Sequence, residues 1–149
     1  MAITQAMATS FKVEILDGIH NFGVGVIRAS TAADTFKIAL YTSAATLSAA
    51  TTVYTTSNEV VGTGYTAGGN TLAVSVVPVS SGTTAYLSFT NSSWSTATIT
   101  ARGAMIYNST QGNKCVAILD FGSDKVSTAG TFTIVFPTAG AGTAIIQIA

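Results

Sequence analysis

Two apolar segments joined by a short polar loop, within Thr98–Lys125, constrain the fold more than any other part of this sequence. Apolar or small residues occupy both alternating faces of each segment. Strands covered on both sides show this pattern, whereas half-solvated strands alternate apolar and polar residues. The connecting loop, Ser109–Asn113, contains Gly112 and has a length typical of hairpin connections. The sequence therefore predicts a hairpin in the middle of a sheet.

Further short segments, rich in β-branched and aromatic residues, recur at fairly regular spacing. The segments predicted as strands are Thr35–Thr42, Asn58–Tyr65, Thr71–Val77, Thr84–Phe89, Thr131–Phe136 and Thr143–Ala149. Ile19–Ile27 is interpreted as an irregular passage or a weak edge strand, and Pro78 either ends its strand or places it at an edge. Together with the hairpin this gives about seven or eight strands. The predicted fold is all-β: a single-domain antiparallel β-sandwich or a jelly-roll-like barrel.

The N-terminal region leaves two interpretations open. Ser10–Asp17 fits a short helix, with Ser10 as N-cap and Gly18 as its end. It also fits a strand, because Val13 and Ile15 alternate with charged residues. Residues 1–10 are interpreted as an arm that is either disordered or ordered by a neighbouring subunit. Residues 11–149 are expected to form the single β-sandwich domain.

Turn residues predict the remaining connections. Asn91–Ser95 is predicted as a loop that carries the only tryptophan, and Ser127–Gly130 and Ala67–Asn70 are predicted as turns. Ser43–Ser57 consists almost wholly of Ser, Thr and Ala, and we interpret it as a surface excursion that is too long and too polar to be core.

Charge is scarce and balanced. Charged residues make up 8% of the chain, against about 25% in a typical globular protein, the net charge is zero, and the mean hydropathy is +0.50. No basic cluster could supply phosphate contacts, so we expect neither nucleic acid nor a charged membrane surface as a partner. No segment resembles a spanning helix or a signal peptide. The composition is typical of a poorly soluble monomer or, as we favour, of a subunit covered by copies of itself or another protein.

Catalytic and metal-binding patterns are weak. A triad of His20 with Asp17 and Ser10 has no G-x-S-x-G motif to support it. Cys115 lies in a predicted buried strand and is interpreted as a small core residue of a protein made in a reducing cytoplasm. We predict that the protein is not an enzyme and has no catalytic residue and no cofactor.

The acidic residues form no recognisable site in the sequence either. Asp120 and Asp124 flank a glycine and could hold calcium, but a polar turn explains them equally simply. Glu59 could pair with another acid as in glycosidases, although most of the six acids lie beside turns or lysines. We therefore predict no metal site. Exposed aromatics could form a sugar-binding platform, or they could be half-buried anchors under loops; the candidates are Trp94, Tyr54 and Tyr65.

Three stretches carry a resemblance to a known group of proteins. These are DTFKIALYTSAATL (Asp34–Leu47), NEVVGTGYTAGG (Asn58–Gly69), and ITARGAMIYN with AILDFGSDK (within Ile99–Lys125). The chain, from about Phe11 to Ile148, resembles small structural proteins of tailed bacteriophages, some of which are similar to capsid decoration or cement proteins. The likeness is one of overall pattern, so it assigns no functional residues.

The resemblance implies a non-enzymatic virion protein, made in the host bacterial cytoplasm and located on the capsid surface. A cement protein would contact the major capsid protein and copies of itself, as a dimer or trimer. We expect contacts through Met1–Phe11 and Ser43–Ser57, and the side chains expected to meet a partner are Phe11, Leu47, Val53, Tyr54 and Trp94. A tail, neck or fibre component is the alternative, followed by a carbohydrate-binding module.

Overall fold

The computed structural model describes residues 2–16, 18–23 and 33–149. Within these residues the chain forms one helix and eight strands. The helix α1 is Thr9–Leu16, and the strands are β1 (Ala6–Met7), β2 (Phe36–Tyr41), β3 (Asn70–Leu72), β4 (Val74–Ser81), β5 (Thr84–Phe89), β6 (Ser92–Asn108), β7 (Lys114–Ile134) and β8 (Ile146–Ile148). All strand pairs are antiparallel and form two sheets, of order β1-β7-β6-β2-β3 and β4-β5-β8. The predicted all-β, sandwich-like fold is confirmed.

The central hairpin is confirmed in its position and its loop. β6 ends at Asn108, β7 begins at Lys114, and the connection is the predicted segment Ser109–Asn113. Gly112 and Asn113 both have positive φ angles, +66° and +59°. The ends of β6 and β7 next to this loop are buried throughout residues 103–108 and 115–119, as expected for strands covered on both faces.

Both hairpin strands continue well beyond the predicted ends. The loop predicted over Asn91–Ser95 and the turn predicted over Ser127–Gly130 are wrong, because Ser92–Ser95 and Ser127–Gly130 lie within the β6–β7 ladder. Shifts in register absorb the turn-forming residues, and Thr96 and Ala129 have positive φ angles there. Bulges of this kind keep a ladder intact while they bend it.

The β6–β7 ribbon has a wide bulge at Phe121–Asp124, called the bend below, and curves back between Phe121 and Phe132. These four residues of β7 lie opposite Arg102 alone, between the pairs Ala101–Lys125 and Gly103–Asp120. Gly122 has a φ of +75°, and its N–H donates to Asp120 Oδ1 at 2.9 Å. The rings of Phe121 and Phe132 lie 6.4 Å apart, whereas eleven residues of straight strand would separate them by about 36 Å.

The strand predicted over Thr71–Val77 divides between the two sheets at Ala73. β3 pairs with β2 in the larger sheet, and β4 pairs with β5 in the smaller one. Pro78 lies in β4, which is an edge strand. This agrees with the second of the two predictions for Pro78, a position at a sheet edge. β5 has its predicted bounds, whereas β8 covers only three residues of the strand predicted over Thr143–Ala149.

Two segments predicted as exterior lie against the larger sheet. Ala45 and Leu47 are buried, and the Thr52 carbonyl accepts from the Cys115 N–H at 2.8 Å. Ala45 and Leu47 are the only buried residues of Ser43–Ser57, so the segment runs over the surface as predicted while these two side chains and the Thr52–Cys115 bond fix it to the sheet. The N-terminal segment also joins this sheet, where Ala6–Met7 pairs with β7 and Ile3 forms a bridge with Leu47.

The helical interpretation of the N-terminal region is confirmed, with a correction at its start. α1 begins at Thr9, and the buried Ser10 hydroxyl makes no hydrogen bond within the described residues, so Ser10 is not the N-cap. Gly18, with a φ of +67°, follows the helix as predicted. Asp17 and residues 24–27 of the predicted segment Ile19–Ile27 lie outside the described residues. The predicted strand Asn58–Tyr65 contains only isolated bridges, from Glu59 to Tyr41 and from Thr63 to Thr98.

Candidate functional site

His20 is held by packing and by one amide. Its Nδ1 accepts from Asn108 Nδ2 at 3.0 Å, and its ring lies against Phe11 with centroids 4.7 Å apart. The Ser10 hydroxyl, which a Ser/His/Asp triad would require, forms no hydrogen bond in the part of the chain that the structure describes. Asp17, the third member considered, lies outside that part. The contacts of His20 within the described residues therefore include the Asn108 amide and aromatic packing, with no bond to Ser10.

A polar cluster beside His20 fastens the hairpin loop to the segment that precedes β2. Asp34 Oδ2 accepts from Asn108 Nδ2 at 2.8 Å and from the Asn21 N–H at 3.0 Å. Asp34 Oδ1 accepts from Gln111 Nε2 at 3.2 Å. Asn108 is fully buried, and its Oδ1 accepts from two N–H groups of the loop. These bonds satisfy polar groups that would otherwise be costly to bury.

A second polar cluster surrounds Glu59, which is 7% exposed. Its Oε2 accepts from the Tyr54 hydroxyl at 2.6 Å. Its Oε1 accepts from the Tyr65 hydroxyl at 2.6 Å and from the Gly68 N–H at 2.7 Å. Distances of this length are typical of hydroxyl groups that donate to a charged carboxylate. The Glu59 carboxylate therefore joins three parts of the segment that crosses the larger sheet between β2 and β3.

The tyrosines of this cluster are poor acids. Burial raises the pKa of Tyr107 to about 12, and the nearby Glu59 charge contributes. Burial and the hydrogen bond to Glu59 raise the pKa of Tyr54 and of Tyr65 well above 10. Burial, followed by the Glu59 charge, raises the pKa of Tyr41 in the same direction. None of these phenols is therefore an activated nucleophile near neutral pH.

Further hydrogen bonds and one ring stack fix the Glu59 cluster to the strands beneath it. The Tyr65 hydroxyl accepts from the Leu40 N–H at 2.9 Å, and the Tyr41 hydroxyl donates to the Thr55 carbonyl at 2.6 Å. Tyr54 stacks on Tyr107 with centroids 4.6 Å apart. Three groups donate hydrogen bonds to Glu59, and the neighbouring tyrosine hydroxyls are also hydrogen-bonded. These bonds hold the segment between β2 and β3 against the larger sheet.

The acidic residues considered for calcium surround an arginine. Arg102 Nε lies 3.5 Å from Asp120 Oδ1, and Arg102 Nη1 lies 3.6 Å from Asp124 Oδ1. The guanidinium thus joins the two ends of the bend at Phe121–Asp124. No group of three or more potential metal ligands occurs among the residues that the structure describes.

Most side chains expected to meet a partner are used inside the chain. Phe11, Leu47 and Trp94 are buried, with exposures of 0%, 3% and 4%. Their expected role as contact residues is therefore corrected, because side chains that fill the chain's own core offer no surface to a partner. Tyr54 is half-buried and bound to Glu59. Val53 alone of the five is well exposed, at 49%.

Other apolar side chains, which the sequence did not single out, do reach the surface. Val61 is 94% exposed and Val126 is 67% exposed. Both line a hollow of about 270 Å³ whose wall includes the buried Ile99. We call these two side chains and this hollow the valine patch.

A larger apolar cleft opens on the concave side of the bent ribbon. Its volume is about 590 Å³, and the rings of Phe121, Phe132 and Phe136 line it. Val135, which is 71% exposed, also lines it. The cleft and the valine patch are candidate recognition surfaces of the described residues, since exposed apolar surface commonly marks an interaction site.

The local sequence could have indicated the Glu59 cluster but not which valines are exposed. Glu59 is one of six acids, and the tyrosines five residues before it and six after it could have suggested a bound carboxylate. Nothing local separates the buried Val60 from the exposed Val61, because the direction of each side chain depends on contacts with β2 and β6.

No protein-family model, curated protein or solved structure matches this chain. Among the described residues, no helix is both long enough and apolar enough to cross a membrane.

Proposed function

We propose that this chain is a non-enzymatic structural protein of a bacteriophage virion, most specifically a capsid decoration or cement protein. The observation that carries the proposal is the exposure of valine side chains on an otherwise well-packed domain. Val61, Val135 and Val126 are 94%, 71% and 67% exposed. Covering such side chains with a partner removes apolar surface from water, which favours association by about 25 cal/mol per Å² before the costs of binding.

The polar clusters support the same proposal. Glu59 and Asp34 are the most enclosed hydrogen-bonded carboxylates described above, and each accepts three hydrogen bonds from the chain itself. These bonds stabilise the fold and compete with any substrate for the same oxygens. A decoration protein requires this kind of rigid scaffold beneath its contact surfaces and needs no reacting group.

The proposed partners are copies of this chain, as a dimer or trimer, and the major capsid protein. Low charge suits such a subunit, since few charged groups must lose water when its surface is covered. Many copies bound to one shell would make weak individual contacts effective together. The proposed location is the capsid surface, after synthesis in the cytoplasm of the host bacterium.

Copy number in purified parent particles tests the proposal. Quantitative mass spectrometry should find hundreds of copies of this chain per particle, in fixed proportion to the major capsid protein. A count of tens or fewer would replace the decoration role with that of a tail, neck or fibre component. Absence of the chain from particles that contain all other structural proteins would overturn the virion proposal itself.

A matched pair of variants links particle binding to the valine patch. Val61→Asp places a charge at the most exposed valine, and Val77→Asp places one at a valine of β4 that is 53% exposed. We expect Val61→Asp to lower the number of copies retained on particles, because a partner that covers the patch would bury an unpaired charge. Equal retention of the two variants would remove the valine patch from the proposed contact.

The carbohydrate-binding alternative loses its expected platform. Trp94 is 4% exposed and lies against Phe132, with ring centroids 6.1 Å apart. The Tyr54 and Tyr65 hydroxyls are bound to Glu59. Burial removes the Trp94 ring from this role, and the polar ends of Tyr54 and Tyr65 are already engaged.

A further inference from the structure

The apolar cleft has a wall of unusual composition. Six consecutive residues, Phe132 to Pro137, all line it. Side chains of a strand alternate between its two faces, so a groove that meets only one face contacts every second residue. A groove that contacts consecutive residues runs along the edge of the segment, where backbone N–H and C=O groups point.

Among the described residues, no strand pairs with the second edge of β7 at Phe132–Ile134. Ser92, Ser93 and Trp94 of β6 pair with Ile134, Thr133 and Phe132 on one side. The only other strand paired with β7 within the described residues is β1, which meets it at Ala117 and Ile118. An exposed strand edge can pair with an added extended segment.

The rest of the cleft is suited to side chains of such a segment. Phe121 and Leu119 come from the part of β7 before the bend, and Ile145 comes from the segment that precedes β8. Together with Phe132–Pro137, these apolar groups form the lining of the cleft. Of the described residues that line the cleft, Lys125 is the only ionisable one, so its charge is complementary to an acidic group.

We propose that this cleft binds an extended segment of a partner protein by adding it to the chain edge at Phe132–Phe136, which comprises the end of β7 and the two residues after it. The segment alternates apolar and polar residues and carries an Asp or Glu that faces Lys125. This inference rests on the proposed assembly function and deepens it, because it assigns the contact with another virion protein to one site. A compact small molecule would fill the apolar space but would not use the strand edge.

Selection from a displayed library of random nine-residue peptides tests the proposal with purified full-length chain as bait. We expect enriched peptides that alternate apolar and polar residues and contain an acidic residue. Synthetic copies of these peptides should bind Val135→Asp about tenfold more weakly or worse, because the new charge would be buried in the cleft. They should bind Val77→Asp as they bind the unaltered chain, since Val77 lies in β4 and does not line the cleft.

A charge reversal sharpens the test. With Lys125→Glu as bait, the selection should favour peptides with Lys or Arg in place of Asp or Glu. Circular dichroism of all three variants would establish that each is folded. No enrichment above an unrelated bait, or enriched peptides that bind Val135→Asp as well as the unaltered chain, would overturn the proposal.

Two further outcomes would replace the proposed occupant. If the chain binds 1-anilinonaphthalene-8-sulfonate in a manner sensitive to Val135→Asp but selects no peptide, the cleft is a small-molecule site and the proposal fails. If the enriched peptides match a stretch of this chain and block its self-association in light scattering, the occupant is a second copy. The selection uses no virus particle. If it fails, the copy-number test can still support or contradict the proposed function.

Discussion

The two halves of the β6–β7 hairpin differ in what surrounds them. Next to the loop, residues 103–108 and 115–119 are buried throughout, with β2 beside β6 and β1 beside β7. Beyond the bend, β6 alternates between buried and exposed residues, and most of residues 122–131 are exposed. One continuous pair of strands is therefore both the centre of the core and a large part of the accessible surface.

This difference separates the residues that make the fold from those proposed to contact partners. The half next to the loop is covered by the chain itself, including the segment that Glu59 fastens. The half beyond the bend contributes Val126 to the valine patch and the aromatic wall to the cleft. If the comparison is correct, substitutions in the first half will affect stability most, and substitutions in the second will affect association most.

The largest expected difference in stability is between Ile118→Ala and Val126→Ala. Ile118 is fully buried and Val126 is 67% exposed, although both lie in β7. Removing buried methyl groups should lower the free energy of unfolding by about 2–5 kcal/mol at Ile118. The change at Val126 should stay within about 0.5 kcal/mol. Urea denaturation measures both, and equal losses would contradict the distinction between the two halves.

Removing the Glu59 carboxylate should have the next largest effect. Glu59→Ala leaves two tyrosine hydroxyls and the Gly68 N–H without their acceptor, and we expect the free energy of unfolding to fall by about 3 kcal/mol. Tyr54→Phe removes one of these bonds and should cost about 1 kcal/mol. A Glu59→Ala loss no greater than that of Tyr54→Phe would show that the carboxylate does not fasten the segment between β2 and β3.

Alkaline pH should destabilise the fold through the same tyrosines. The pKa of Tyr107 is raised to about 12 in the folded chain, and the value in an unfolded chain is near 10. The unfolded state therefore loses this proton first, and the associated stability is present below pH 10 and is lost as the pH rises toward 12. Denaturation at several pH values measures the fall. Tyr107→Phe should reduce its slope, and an unchanged slope would exclude this tyrosine as a cause.

The smallest expected effect concerns the bend. Arg102→Gln removes ion pairs with Asp120 and Asp124 that are 3.5–3.6 Å long and partly exposed. We expect a loss of at most about 1 kcal/mol at low salt, and less in 1 M sodium chloride, where charges are screened within about 3 Å. Lys125→Gln is the control, since the recorded side-chain bond of Lys125 is to Ser123 Oγ. A loss that is insensitive to salt would point to packing of the Arg102 stem instead.

The sequence predicted those parts of the fold that local pattern determines. The hairpin loop, β5 and the approximate span of β2 follow from apolar density and turn residues. The turns expected at Asn91–Ser95 and Ser127–Gly130 failed because Ser, Thr and Gly residues are also compatible with bulged strands. The division at Ala73 was missed because both strands that it separates have the same β-branched composition.

The candidate site was harder to predict than the fold. Trp94 and Leu47 were expected at a partner surface, yet both are buried by residues distant in sequence. Val61 and Val126 were not expected there, since the direction of a side chain depends on register and bulges that no local pattern sets. The burial of Glu59 likewise depends on two tyrosines and a glycine N–H that meet only in the folded chain.

A reconstruction of the parent virion with this chain located in it tests the central claim most directly. We predict many copies of the two-sheet domain on the capsid, with the valine patch or the cleft beyond the bend in contact with neighbouring protein. An extended segment should lie along Phe132–Phe136, at the end of β7 and just beyond it. A virion in which these surfaces face solvent in every copy, while contacts involve other faces, would contradict the assignment of binding to this half of the hairpin.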